Sequence, residues 1–150
     1  MISPDDHLIH ATTLGLQSTL MVCEGWSALQ FCSTGIEVLG KADFGAIFMS
    51  SVANCRNNKK TTEDNKKSYA NLINALGLKF GSNDFSKLNY GTLWLCFDQD
   101  DFGIFNAGLT LGTFTKEWPA LWSSNFKIKM LRTPTTIDNR TTTCKHRITQ

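Results

Sequence analysis

The first apolar stretch of the chain is introduced by helix-start residues. Ser3 can cap, Pro4 suits the first helical position, and Asp5 and Asp6 favour the positive helix end. A helix is therefore predicted from residue 4 to about residue 21. Leu8, Ala11 and Thr12 share one face, while Ile9, Leu16 and Leu20 fall together less cleanly. Gly15 weakens this helix by ~1 kcal/mol. Gly25 either ends it or lets it run on through residues 26–31. Ser33-Thr34-Gly35 reads as a turn, residues 36–39 as a short strand, and Gly40-Lys41-Ala42-Asp43 as a connection. The run Phe44-Gly45-Ala46-Ile47-Phe48-Met49 fits a buried strand or a buried helix, and its Ile, Phe and nearby glycines favour strand.

Residues 54–67 are polar and lead into a second helix near residues 62–76. Thr61 or Thr62 would cap it, with Glu63 and Asp64 in the first turn. Tyr69, Leu72, Ile73 and Leu76 recur at helical spacing on one face, and Gly77 is placed for a left-handed C-terminal cap. From there the pattern turns sheet-like. Residues 92–97 predict a strand, the acidic turn Asp98-Gln99-Asp100-Asp101 follows, and residues 102–105 and 109–114 return as two further strands around Asn106-Ala107-Gly108. Phe126-Lys127-Ile128-Lys129-Met130 alternates strictly and predicts a half-buried strand. Trp118 and Trp122, around Pro119, would form a lid over one end of the sheet. After Pro134 the chain is Thr-rich and lacks apolar periodicity. The pattern thus predicts an α+β fold: an N-terminal helix, a second helix near 62–76, and a mainly antiparallel sheet from the C-terminal half. One globular domain is expected over residues 1–134, with a loosely ordered polar tail over 135–150.

Composition fits that picture. The 150 residues suffice for one domain with its own core. Fifteen Lys and Arg against 13 Asp and Glu leave a net charge of +2, too small to make a nucleic acid the expected partner. The acidic start argues against a signal peptide, and no apolar run is long enough to suggest a membrane-spanning helix. A cytoplasmic protein is expected. The five cysteines, Cys23, Cys32, Cys55, Cys96 and Cys144, include no close pair, which points to reduced, inert thiols and away from structural zinc or a disulfide framework.

Candidate chemistry is sparse. His7 and His10 are three residues apart and could share a metal, or simply face solvent beside Asp5 and Asp6. No metal site and no cofactor are expected. His10-Ala11-Thr12 has the form of a two-histidine phosphoesterase tripeptide, but a second tripeptide is missing. The acidic turn has the first half of an EF-hand loop and then fails, with Phe102 at position five and Leu109 at position twelve. Cys96 beside three aspartates lacks the cation that stabilises a thiolate. Arg56, Lys59, Lys60, Lys66 and Lys67 cluster around one loop, and Lys127, Lys129 and Arg132 line a strand. These could contact phosphates, or simply keep a solvated surface soluble.

The segment Leu72-Ile73-Asn74-Ala75-Leu76-Gly77-Leu78, followed by Leu93-Trp94-Leu95-Cys96-Phe97-Asp98, is similar in hydrophobic spacing to the opening of class I secretion chaperones. That resemblance implies a homodimer that holds an unfolded protein. With aromatics at 11%, the favoured expectation is a non-enzymatic protein that binds another protein, as an inhibitor, immunity protein, chaperone or assembly factor. Trp118 and Trp122 would form its surface, with Lys127 and Lys129 on the rim, in a monomer or homodimer. One alternative is a metal-assisted hydrolase using His7, His10 and the turn from Asp98 to Asp101. Another is a weak nucleic-acid binder using the basic loop and strand face.

Overall fold

The computed structural model describes residues 8–49 and 63–132, with the backbone alone over 63–68. In chain order the elements are β1 (Leu8–Ile9), β2 (Gly15–Glu24), α1 (Gly25–Leu39), β3 (Phe44–Met49), α2 (Glu63–Leu76), β4 (Tyr90–Cys96), α3 (Asp101–Glu117), a 3-10 turn (Pro119–Ser123) and β5 (Lys127–Met130). The strands form one sheet in the order β1-β3-β2-β4-β5. β2 pairs parallel with β3 and with β4, and β4 pairs parallel with β5; β1 joins β3 antiparallel. The fold is therefore mixed α/β, with a mainly parallel sheet where an antiparallel one was expected.

The first helix of the sequence reading is absent from the described part of its range: β1 and β2 stand there instead. The reason lies in β2. Ser18, Thr19, Leu20, Met21, Val22 and Cys23 are all buried, because β2 is the central strand and helices cover both its faces. Such a strand reads as a continuous apolar run, and a continuous run does not reveal its period. Helix begins only at Gly25, whose φ of +84° turns the chain sharply out of the strand. It then runs through the Ser33-Thr34-Gly35 and 36–39 segments, which were read as turn and strand. Leu29, Cys32 and Ser33 are its buried residues, and Gly40 at φ +58° ends it.

The expected meander after Asp101 is likewise one helix, α3. Its buried positions are Gly103, Asn106, Ala107, Thr110, Thr113 and Phe114, spaced for one helical face but mostly small or polar. Phe102, Ile104, Phe105 and Leu111 lie on the exposed side. Apolar patterning therefore points to the wrong face. The threonines bond to their own helix: Thr110 Oγ1 donates to the Asn106 carbonyl and Thr113 Oγ1 to the Leu109 carbonyl, both at 2.9 Å.

Other expectations hold. Residues 44–49 are a strand, α2 buries Tyr69, Leu72, Ile73 and Leu76, and Gly77 closes α2 at φ +77°. β5 turns Ile128 and Met130 towards the core and leaves Lys127 exposed.

The sheet separates two apolar layers. The larger joins Leu20, Val22, Ile47, Leu93 and Leu95 to Leu72, Leu76, Phe114 and Trp118 from the α2 and α3 side. The smaller joins Met21, Cys23, Ala46 and Cys96 to Leu29 and Cys32 of α1. The tail over 135–150 lies outside the described residues. No described helix is long and apolar enough to cross a membrane.

Candidate functional site

The strand order creates one distinctive place. From β2 the chain leaves through α1 to β3 on one side, whereas β4 lies on the other side of β2 and continues through α3 to β5. The crevice at the carboxyl ends of β2 and β4 is thus a topological switch point, where open parallel sheets place their ligands. Three carboxylates stand there: Glu24 as the last residue of β2, and Asp98 and Asp100 just after β4.

Local structure fixes each of them. Glu24 occupies the N-cap position of α1, but its side chain makes no cap hydrogen bond. It instead accepts from Asn106 Nδ2, on the buried face of α3, at 2.6 Å. Asp100 caps α3, its Oδ1 accepting from the Gly103 N–H at 2.8 Å. Gly103 packs so closely on the Asp98 backbone that a Cβ there would collide with the Asp98 carbonyl. α3 therefore holds the Asp98–Asp100 turn through a cap and a bare glycine, and holds Glu24 through an amide.

The electrostatics follow from this crowding. Burial raises the Glu24 carboxyl above its ordinary range, the Asn106 hydrogen bond opposes that rise, and the nearby Asp98 carboxylate adds to it. Glu24 Oε2 is buried without a hydrogen-bond partner. Among the described residues, no group of three or more His, Cys, Asp or Glu side chains could hold a metal ion.

The residues singled out in the sequence do not meet here. His10 follows β1, which runs antiparallel to β3, so it lies at the amino end of the parallel strands, beside Gly45. The acidic turn is at the other end, so the described part of the expected hydrolase site does not assemble; His7 lies outside the described residues. Trp118 is wholly buried against Phe80 and Phe114 and belongs to the core, not to a surface patch. Trp122 is exposed, Lys127 is exposed and Lys129 is half-buried. Arg56, Lys59 and Lys60 lie outside the described residues, as do the side chains of Lys66 and Lys67. Sequence reasoning missed Glu24 and Asn106, because both sat inside misassigned elements. The available signal was an apolar run ending in Glu24-Gly25, and a second ending at Asp98.

No family model matches the chain. It is 34% identical over 120 residues to a putative mitochondrial DNA topoisomerase 2 of Caenorhabditis elegans, covering 77% of this chain and 10% of that protein. It is 33% identical over 120 residues to a probable DNA topoisomerase 2 of Dictyostelium discoideum, covering 78% of this chain and 8% of that one. The crystal structure of the Plasmodium falciparum topoisomerase II DNA-binding, cleavage and re-ligation domain superposes with a TM-score of 0.73 at 26% identity, covering 89% of this chain and 19% of that chain. The chain spans about a tenth of the length of the curated relatives it matches.

These similarities overturn three expectations. A non-enzymatic module that binds another protein does not fit relatives that are DNA topoisomerases. The chaperone resemblance falls with it, since the α2 and β4 segments that carried it belong to a mainly parallel sheet. The reading that nucleic acid is not the partner fails as well, because net charge reports overall steering and not what a local site does.

Proposed function

We propose that this chain is a DNA-handling module of the topoisomerase 2 type, acting at the switch-point crevice. The observation that carries the reading is the likeness of 89% of the chain to a DNA-binding, cleavage and re-ligation domain, together with carboxylates at the strand ends where α/β sheets bind ligands. Glu24 is the residue suited to proton transfer. Burial and neighbouring acids hold its proton more tightly than usual, which moves a carboxyl towards the range where it both accepts and donates. Asn106 sets its direction.

An acidic edge repels phosphate, so DNA needs cations alongside. β5 is paired to β4 on the same side of the crevice, with Lys127 opposite Thr92 and Lys129 opposite Trp94. Two residues apart on one strand, both lysines project from one sheet face. Lys127 stands near the amino end of β5 and Lys129 nearer the crevice, so a DNA backbone that crosses the strand ends and continues along β5 would meet both.

The test is fluorescence anisotropy of a short labelled DNA duplex across a salt series. Binding should weaken linearly with the logarithm of salt concentration, and the double variant Lys127→Gln/Lys129→Gln should reduce that slope by about 2. No binding at low salt, or binding with no salt dependence, would overturn the reading.

A further inference from the structure

Beside the acidic edge lies a cluster of three thiols. Cys23 and Cys96 stand opposite each other in register on β2 and β4, and Cys32 comes down on them from α1. All three are free and buried in one apolar layer. The Cys23 and Cys96 thiols donate to the backbone carbonyls of Met21 and Trp94, both at 3.9 Å, and Cys32 packs against both in the same apolar layer. Their accessibility differs. Cys32 and Cys96 line a cavity of about 330 Å³ together with Phe31, Asp98, Gln99 and Leu131, whereas Cys23 is fully enclosed behind them. Phe31 and Asp98 are exposed, so the cavity opens to solvent at the strand ends. A water molecule takes ~30 Å³ of liquid, so a small polar oxidant fits easily.

We propose that Cys32 and Cys96 are an oxidation site, in which a hydroperoxide entering this cavity converts the pair to a disulfide that ties α1 to β4. Cys32 is the attacking sulfur. It lines the cavity whereas Cys23 is enclosed, and its two neighbouring thiols pull it down to about 4 against the effect of burial. Cys23 is held up by the neighbouring Cys32 and Cys96 thiols and by burial. Cys96, although the neighbouring Cys23 thiol works the other way, is raised by Cys32 and by burial.

The chemistry balances in two steps. Cys32 Sγ, as thiolate, attacks one peroxide oxygen; the S–O bond forms, the O–O bond breaks, and the departing hydroxide takes a proton from solvent and leaves as water. Cys96 Sγ then attacks the sulfenic sulfur; the S–S bond forms, the S–O bond breaks, and hydroxide leaves as water with the Cys96 proton. Two thiols are oxidised by two electrons, and hydrogen peroxide is reduced to two waters. The inference stands independently of the DNA reading.

The experiment treats the reduced full chain with hydrogen peroxide, blocks the remaining thiols, and maps peptides without reduction. A peptide joining Cys32 to Cys96 is expected. It should persist in Cys23→Ser and vanish in Cys32→Ser. In the untreated protein, Cys32 should react with iodoacetamide at least about ten-fold faster than Cys23. A bridge through Cys55 or Cys144, stepwise over-oxidation of Cys32 with Cys96 still free, or equal alkylation of Cys32 and Cys23 would each overturn the proposal.

Discussion

Asn106 Nδ2 donates to Glu24 Oε1 at 2.6 Å, linking residues 82 positions apart and joining α3 to the end of β2. That bond keeps a carboxylate at a crowded acidic edge, where burial and the Asp98 and Asp100 carboxylates would otherwise favour the protonated form. The folded protein still holds this proton more tightly than the unfolded chain does.

The consequence is a pH-dependent cost. Below the ordinary value of 4.5 both states are protonated and Glu24 costs nothing. As pH rises through 4.5 towards the raised folded value, the unfolded chain ionises first and stability is lost. Glu24→Gln keeps an acceptor for Asn106 and removes the charge. It should therefore melt above the parent at pH 8, with the difference closing below pH 4.5. Thermal denaturation at the two pH values checks this, and a constant difference would refute it.

Two glycines of α3 should respond in opposite directions. At Gly108 a methyl group meets open space, so Gly108→Ala should stabilise by about 1 kcal/mol through helix propensity. At Gly103 the methyl would strike the Asp98 backbone, so Gly103→Ala should cost roughly 1–3 kcal/mol. It should also displace the turn carrying Asp98 and Asp100, and so change DNA binding where Gly108→Ala does not. Urea denaturation of both variants, with anisotropy alongside, separates the two effects.

How much of this was legible depends on where the buried face is apolar. α2 follows the simple rule: Tyr69, Leu72, Ile73 and Leu76 are buried, and Gly77 ends the helix. In α3 the buried face is Gly103, Asn106, Ala107 and Thr110, and the exposed side carries Phe102 and Phe105, so hydrophobicity alone suggests strands. β2 fails for the opposite reason, since residues 18–23 are buried on both faces and show no period. Glu24 and Asn106 lay in those two stretches, and their meeting needs a strand order that no local pattern encodes. The strand β5 itself was legible, because apolar and basic residues alternate along its sequence.

The two tryptophans of the 3-10 turn region should separate cleanly by stability. Trp118 is fully enclosed, its Nε1 donates to the Lys79 carbonyl at 2.9 Å, and its ring lies 5.1 Å from Phe80 and 5.5 Å from Phe114. Trp118→Ala should cost about 3–5 kcal/mol, the range for emptying a large aromatic site. Trp118→Phe, which keeps much of the ring but leaves the Lys79 carbonyl without its donor, should cost less. Trp122 is 44% exposed, and Trp122→Ala should cost under about 1 kcal/mol. Equal losses in a denaturant series would contradict the placement of Trp118 in the core.

Asp100 combines two roles that substitution can divide. As N-cap of α3 its Oδ1 accepts from Gly103, and as a charge it helps raise Glu24. Asp100→Asn keeps a capping oxygen and removes the charge, so it should leave stability within a few tenths of a kcal/mol of the parent. It should also bring the Glu24 carboxyl down towards its ordinary value of 4.5. Asp100→Ala removes both and should cost about 0.5–2 kcal/mol, with the same fall at Glu24. Carboxyl titration by NMR, read beside thermal melts, distinguishes these outcomes. If Asn destabilises as much as Ala, charge at the positive end of α3 outweighs the capping hydrogen bond, and the acidic edge owes its place partly to the helix dipole.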